Sequence, residues 1–204
     1  MLSTEPMMKQ ITTIILLSLC LHYATAQGLD LDITKGINPQ NPRSTYWKAT
    51  SASTFYISGA VPLSLLITGL IKDDTCLKKK SFEILGSVMI ELALSEALKI
   101  TFNRQRPGDR HPTVIFPYKH LKNQSFPSGH TSLAFATAAS LSLQYRKWYI
   151  TVPAYLWASS VGCSRVYLGV HYASDVLGGA AVGIGSAYLA HWLNNKLFPE
   201  KRKH

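Results

Sequence analysis

The stretch Val176-Leu177-Gly178-Gly179-Ala180-Ala181-Val182-Gly183-Ile184-Gly185-Ser186-Ala187-Tyr188-Leu189-Ala190-His191-Trp192-Leu193 contains no Asp, Glu, Lys or Arg and is crowded with small residues. In water, each glycine weakens a helix by about 1 kcal/mol relative to alanine. In a bilayer the same small side chains let helix backbones approach closely, and this packing holds membrane helices together. The segment therefore predicts a membrane helix set tightly against a neighbour. Four apolar segments precede it: Thr54–Ile71, Phe82–Leu98, Thr131–Tyr145 and Tyr149–Cys163. None alternates apolar and polar residues as a half-buried strand would, and the connections are short and polar. The predicted fold class is all-α, a polytopic transmembrane helix bundle with five spans.

The shorter segments rise only about 22 Å as helices, against a hydrocarbon core of ~30 Å. Tyr145, Arg146, Lys147 and Trp148 between two of them can snorkel or sit at the interface and make up the difference. Glu91 and Glu96 fall inside the second segment and must face the bundle interior or a polar cavity. A bundle buried within a soluble protein is the competing arrangement.

The chain's 204 residues are 47% apolar and only 16% charged, which excludes a disordered protein. Lys and Arg outnumber Asp and Glu by 21 to 11, a formal net charge of +10, so anionic company is expected: nucleic acid, a lipid surface or phosphate substrates. Cys20, Cys76 and Cys163 form no metal-binding or disulfide pattern.

Residues 1–26 carry Lys9, an apolar run from Ile11 to Leu21, and Ala24-Thr25-Ala26 before Gln27, the three parts of a secretory signal peptide. An uncleaved anchor is the alternative. Both put Gln27 outside the cytoplasm. The expected organisation is then an extracytoplasmic segment over 27–53, a helical domain over 54–193 and a basic cytoplasmic tail over 194–204. With that start, 72–81, 146–147 and 194–204 lie inside, and 99–130 and 164–175 outside. Basic residues are denser on the inside pieces (Lys72, Lys78, Lys79, Lys80, Arg146, Lys147, Lys196, Lys201, Arg202, Lys203), which agrees with the positive-inside rule.

The two outside loops hold nearly all the reactive side chains. The first contains Lys99, then Arg106-Pro107, then Pro127-Ser128-Gly129-His130; the second contains Ser164-Arg165, His171 and Asp175. Lys99, Arg106 and Arg165 can neutralise phosphoryl oxygens, arginine as a fork and lysine as a point charge. Ser128 and Gly129 precede an apolar helix, whose N-terminus favours anions. His171 and Asp175 are four apart, so on a helical turn their side chains meet, and the carboxylate fixes the imidazole tautomer. That leaves Nε2 as a nucleophile, with His130 placed to protonate a departing oxygen. Each feature alone suits a surface contact, a helix cap or an interfacial histidine. Their joint occurrence points to phosphoryl transfer.

These motifs resemble the three-part signature of the type 2 phosphatidic acid phosphatase superfamily, with every signature residue and spacing matched over 99–175. The resemblance implies a PAP2-type core over 54–193 and catalysis without a metal or other cofactor. It implies His171 as nucleophile, His130 as acid and base, and Asp175 orienting His171. Lys99, Arg106, Ser128, Gly129 and Arg165 would bind the phosphate. The implied partners are a phosphorylated lipid substrate and membrane lipids rather than nucleic acid. The implied place is the cell membrane, a bacterial inner membrane, with the site facing the periplasm or exterior. Candidate substrates are undecaprenyl diphosphate, phosphatidate, phosphatidylglycerol phosphate and lipid A phosphates. A secreted acid phosphatase of the same superfamily and a vanadium haloperoxidase share the motifs. Arg104, Asp109, Arg110, His111, Tyr118 and Lys119 are expected at the rim, and Glu96 is expected to pair with Lys99.

Overall fold

The structure is a computed structural model that describes residues 28–197. The predicted signal peptide and the end of the basic tail lie outside the described residues. The helices are α1 over 28–37, α2 (Thr45–Ile71), α3 (Thr75–Phe102), the single turn α4 (Pro107–Arg110), α5 (Gly129–Tyr145), α6 (Trp148–Tyr167) and α7 (Ala173–Leu197). All five apolar segments are helical, and every helix is longer than the apolar run that announced it. The second begins at Thr45, well ahead of the predicted Thr54. Two helices, α2 and α7, are long and apolar enough by themselves to cross a membrane, with mean hydropathies of 1.7 and 1.3.

Helix α5 is central, packing against α2, α3, α6 and α7, most extensively against α7. The small residues of α7 make this possible. A Cβ on Gly179 would stand 2.7 Å from the Ser128 carbonyl oxygen, and one on Gly183 would overlap the Ser132 carbonyl oxygen and the Ala136 amide. A Cβ on Gly185, by contrast, would meet nothing within 4 Å. Close helix packing thus depends on part of the glycine pattern and not on all of it.

The bundle is built inside out by the standard of a soluble protein. Its interior is small and polar: Ser58, Ser87, Ser95, Thr131, Ser132, Thr137 and Ser140 are buried beside Ala134, Ala136, Ala138 and Ala139. Thr137 donates to Ser58 across α5 and α2 at 2.8 Å, and the Trp157 indole donates to Ser53 across α6 and α2 at 3.0 Å. Large apolar side chains face outward, including Phe55, Tyr56, Leu63, Ile67, Phe82, Met89, Ile100, Leu156, Leu177 and Trp192. Water would penalise that exterior and hydrocarbon would not, so the distribution suits a lipid environment and not a soluble bundle.

The two glutamates of α3 divide. Glu91 is fully buried and accepts a hydrogen bond from Ser132 of α5, as an interior carboxyl must. Glu96 does not face the interior: its side chain is 64% exposed, and only its tip turns back to Lys99.

Helix α3 stops where Asn103 adopts a left-handed conformation, φ 41°, and its N–H bonds back to the Lys99 carbonyl. Arg104 and Arg106 are thereby released from the helix into the connection. Between α6 and α7 the chain turns at Gly169, φ +67°, pressed against the Phe116 carbonyl and the Asn38 side chain, where a Cβ has no room. This turn delivers His171 to the end of the bundle where α3 finishes and α5 begins.

Candidate active site

At that end the signature residues converge. Asp175 sits in the first turn of α7 and is fully buried. Its Oδ2 lies 3.4 Å from Nδ1 of His171 and accepts the Tyr172 N–H at 2.9 Å and the Ser125 hydroxyl. Its Oδ1 accepts from Arg104 at 2.6 Å. His171 is itself 2% exposed, and its Nε2 lies 3.2 Å from a terminal nitrogen of Arg106. A guanidinium can only donate, so Nε2 must offer its lone pair and the ring proton resides on Nδ1, facing Asp175. This is the tautomer a histidine nucleophile requires. Burial, reinforced by the positive charges of Arg165 and Arg106 and opposed by Asp175, lowers the His171 pKa to about 4, so the imidazole is neutral at physiological pH.

The cations come from three elements. Arg106, just ahead of α4, gives four of its five N–H groups to protein acceptors, Asn123 O at 2.9 Å, Asn123 Oδ1 at 2.7 Å, Gln124 O at 3.2 Å and Val170 O at 2.6 Å, and turns the fifth to His171 Nε2. This lattice of carbonyls holds the fork rigidly against His171. Arg165 does not lie in a loop, as the sequence suggested, but in the last turn of α6. It is 1% exposed, donates to Ser51 of α2 at 2.5 Å, and keeps its buried Nε without a partner. Lys99 is in the last turn of α3, and its ammonium is 2.5 Å from Glu96, the expected pair.

Ser128 and Gly129 open α5. Ser128 makes no side-chain cap; its hydroxyl meets Thr131 Oγ1 at 2.9 Å, and its N–H donates to the Asp175 carbonyl at 3.0 Å, tying the start of α5 to the start of α7. A Cβ on Gly129 would stand 3.5 Å from the Lys99 ammonium, so the missing side chain leaves the helix N-terminus open beside a cation. His130 lies in the first turn of α5, not in the preceding loop, with its ring edge-on to Phe55 at 4.8 Å. It follows Gly129, whose Cα faces the Lys99 ammonium, and so stands at the same helix end.

The predicted rim separates into two groups. Arg104 is no rim residue: it turns inward to Asp175, stacks on the Tyr172 ring at 4.0 Å and bonds Asp30 of α1. Of the others, Asp109, Arg110 and Lys119 are exposed, and His111 and Tyr118 are half-buried. Asp109 pairs with His120 at 2.9 Å, and Lys119 lies over Tyr118 at 5.2 Å. Beside them a cleft of about 490 Å³ is lined by Arg43, Lys48, Pro117, Tyr118 and His120 among others. The sequence reading missed Ser51, Asn123 and Ser125, common polar residues with no spacing rule to mark them. Among the described residues, no three His, Cys, Asp or Glu side chains gather to hold a metal.

The family model of the PAP2 superfamily matches residues 80–199, more than half of the chain. The protein belongs to the PAP2 superfamily. This PAP2 chain is 37% identical over 124 residues to the lipid A 1-phosphatase of Porphyromonas gingivalis, matching 55% of itself and 25% of that relative. It spans about half the length of other relatives that it matches. It is similar to the crystal structure of Aquifex aeolicus LpxE, with 31% identity and a TM-score of 0.62 over 80% of this chain and 95% of that one. The transmembrane PAP2-type phosphatidylglycerolphosphate phosphatase of Bacillus subtilis shares the fold, with a TM-score of 0.67 over 99% and 100% of the two chains at 23% identity.

Proposed function

We propose that this PAP2 protein is an integral membrane phosphatase that hydrolyses a lipid phosphate or diphosphate through a phosphohistidine. The observation that carries the proposal is the setting of His171: Nδ1 faces Asp175 at 3.4 Å, and Nε2 turns its lone pair to Arg106 at 3.2 Å. Nε2 attacks phosphorus in line, the bond to the lipid oxygen breaks, and His130 gives that oxygen its proton. Arg106, Arg165, Lys99, Ser128 and the Gly129 N–H hold the phosphoryl oxygens as charge develops. Water, activated by His130, then attacks the phosphohistidine and releases phosphate. Asp175 balances the charge that His171 gains on attack. No step calls on a metal.

The apolar exterior favours a lipid substrate, since five membrane-spanning helices (α2, α3, α5, α6 and α7) would hold the mouth at headgroup level. With the basic flanks in the cytoplasm, the mouth opens to the periplasm or exterior. The lipid A 1-phosphatase relative supports a phosphorylated lipid such as a lipid A phosphate, with phosphatidylglycerol phosphate, phosphatidate and undecaprenyl diphosphate as the other candidates. The test is phosphate release from a panel of these lipids in detergent. Release from at least one, abolished in His171→Ala and His130→Ala, supports the proposal; release from none refutes it. Alkaline carbonate extraction decides the membrane part: recovery of the protein in the supernatant would favour the secreted acid phosphatase.

A further inference from the structure

Charge in the site does not end at His171 and Asp175. The Arg104 guanidinium, 2.6 Å from Asp175 Oδ1, reaches with its other terminal nitrogen to Asp30 of α1 at 2.7 Å and also donates to the Ser174 hydroxyl at 2.7 Å. Asp30 in turn accepts the Ser174 N–H at 2.9 Å and the Ser174 hydroxyl at 2.5 Å. One planar cation thus bridges two buried carboxylates and is clamped from below by the Tyr172 ring.

Helix α1 is stitched on by one face. Asp30, Thr34 and Asn38 recur at four-residue spacing and are all buried. Thr34 accepts the Ala173 N–H at 3.3 Å, and Asn38 bonds the Phe116 N–H at 2.7 Å and carbonyl at 3.1 Å and the Tyr167 carbonyl at 2.9 Å. The three residues therefore grip the start of α7, the loop before the site and the end of α6. All three lie outside the residues 80–199 that the family model matches.

Resting on the phosphatase reading above, we propose that Asp30 and Arg104 are positioning residues that set the orientation and basicity of the His171–Asp175 pair, which makes α1 part of the active site. Arg104 holds one Asp175 oxygen so that the other faces Nδ1. Asp30 fixes Arg104 and offsets part of its charge. The other charged and titratable groups around the pair are Tyr172 beside it, Arg106 from the connection after α3, His130 from α5 and Arg165 from α6, with Tyr118 beside the two arginines and Arg110 near Tyr172. None of these is altered by the test.

The experiment is the pH profile of kcat and kcat/KM for phosphate release in detergent. Arg104→Gln is expected to lower kcat by about 10–100-fold, the scale seen when an outer-shell partner is lost. KM should change by less than about threefold, because no substrate contact is removed. The acid limb of kcat/KM should move up by about one pH unit, since losing a neighbouring cation favours the imidazolium. Asp30→Asn leaves Arg104 less compensated and should move the limb the opposite way, downward. Arg104→Lys keeps the charge and should restore the limb while kcat stays low. Acid limbs unmoved in folded Arg104→Gln and Asp30→Asn would overturn the proposal even if kcat fell, because a purely structural role predicts that result. If Arg104→Gln does not fold, the downward shift of Asp30→Asn, or its absence, decides alone. Lack of release by the unaltered protein would instead strike the phosphatase reading itself.

Discussion

Helix α7 contributes to two histidine–carboxylate pairs, one near each of its ends. At the α5 end His171 meets Asp175; at the other, His191 of α7 meets Glu83 of α3, Nδ1 to Oε1, at 2.7 Å. By distance the second pair is the better hydrogen bond. Its surroundings are amides: Asn194 donates to the second Glu83 oxygen at 2.6 Å, and Asn195 lies 3.1 Å from His191 Nε2. That imidazole has both nitrogens occupied and joins two helices. The His171 ring also has both nitrogens engaged, but its Nε2 faces a guanidinium, 3.2 Å away, beside buried cations from α3 and α6. A histidine–carboxylate pair becomes a candidate nucleophile through the charge gathered around Nε2, and the tightness of the pair does not distinguish it.

The largest expected effect breaks the comparison outright. His171→Ala should lower phosphate release by about 10⁴-fold, the loss seen when a member of a catalytic triad is removed. His191→Ala should leave kcat within about threefold while lowering thermal stability, because the buried Glu83 loses a donor at a cost of ~1–3 kcal/mol. Equal losses of activity from the two would dissolve the distinction. A smaller effect concerns pH. With its pKa lowered to about 4, His171 stays unprotonated until the medium is quite acid, so kcat/KM should hold as pH falls and decline only through about 4. An acid limb near 6.5, the value of an unperturbed histidine, would mean that the reacting imidazole is not held as described. The smallest effect tests the packing that brings the elements together. Gly183→Ala should cost ~1–3 kcal/mol of stability by overpacking, with Gly185→Ala close to neutral, as read from thermal unfolding in detergent.

Much of this was legible in the sequence because it is written in spacing. The five apolar runs are helices, and Lys99, Arg106, Ser128, Gly129, His130, Arg165, His171 and Asp175 all lie in one cluster. The helix ends were less legible: α2 starts at Thr45 because Ser44 caps it by accepting the Trp47 N–H, and its first turns are polar and largely exposed, where a search for apolar runs finds nothing. An inverted pattern hid α1, whose buried face is Asp30, Thr34 and Asn38 and whose exposed residues include Leu29, Ile33 and Ile37. Arg104 was expected at the rim because it lies close to Arg106, and spacing cannot say which of two neighbouring arginines turns inward. Glu96 was expected to face the interior or a polar cavity and to pair with Lys99; the pair forms, but from the end of the span its side chain lies 64% exposed.

The central claim is that His171 forms the covalent bond to phosphorus. The direct test is to mix the protein with a radiolabelled lipid phosphate, quench in alkali, where phosphohistidine survives, and locate the label by peptide mass spectrometry. The account predicts label on the peptide containing His171 and none in His171→Ala. Label on another residue, or rapid turnover with no labelled peptide at any time, would contradict it.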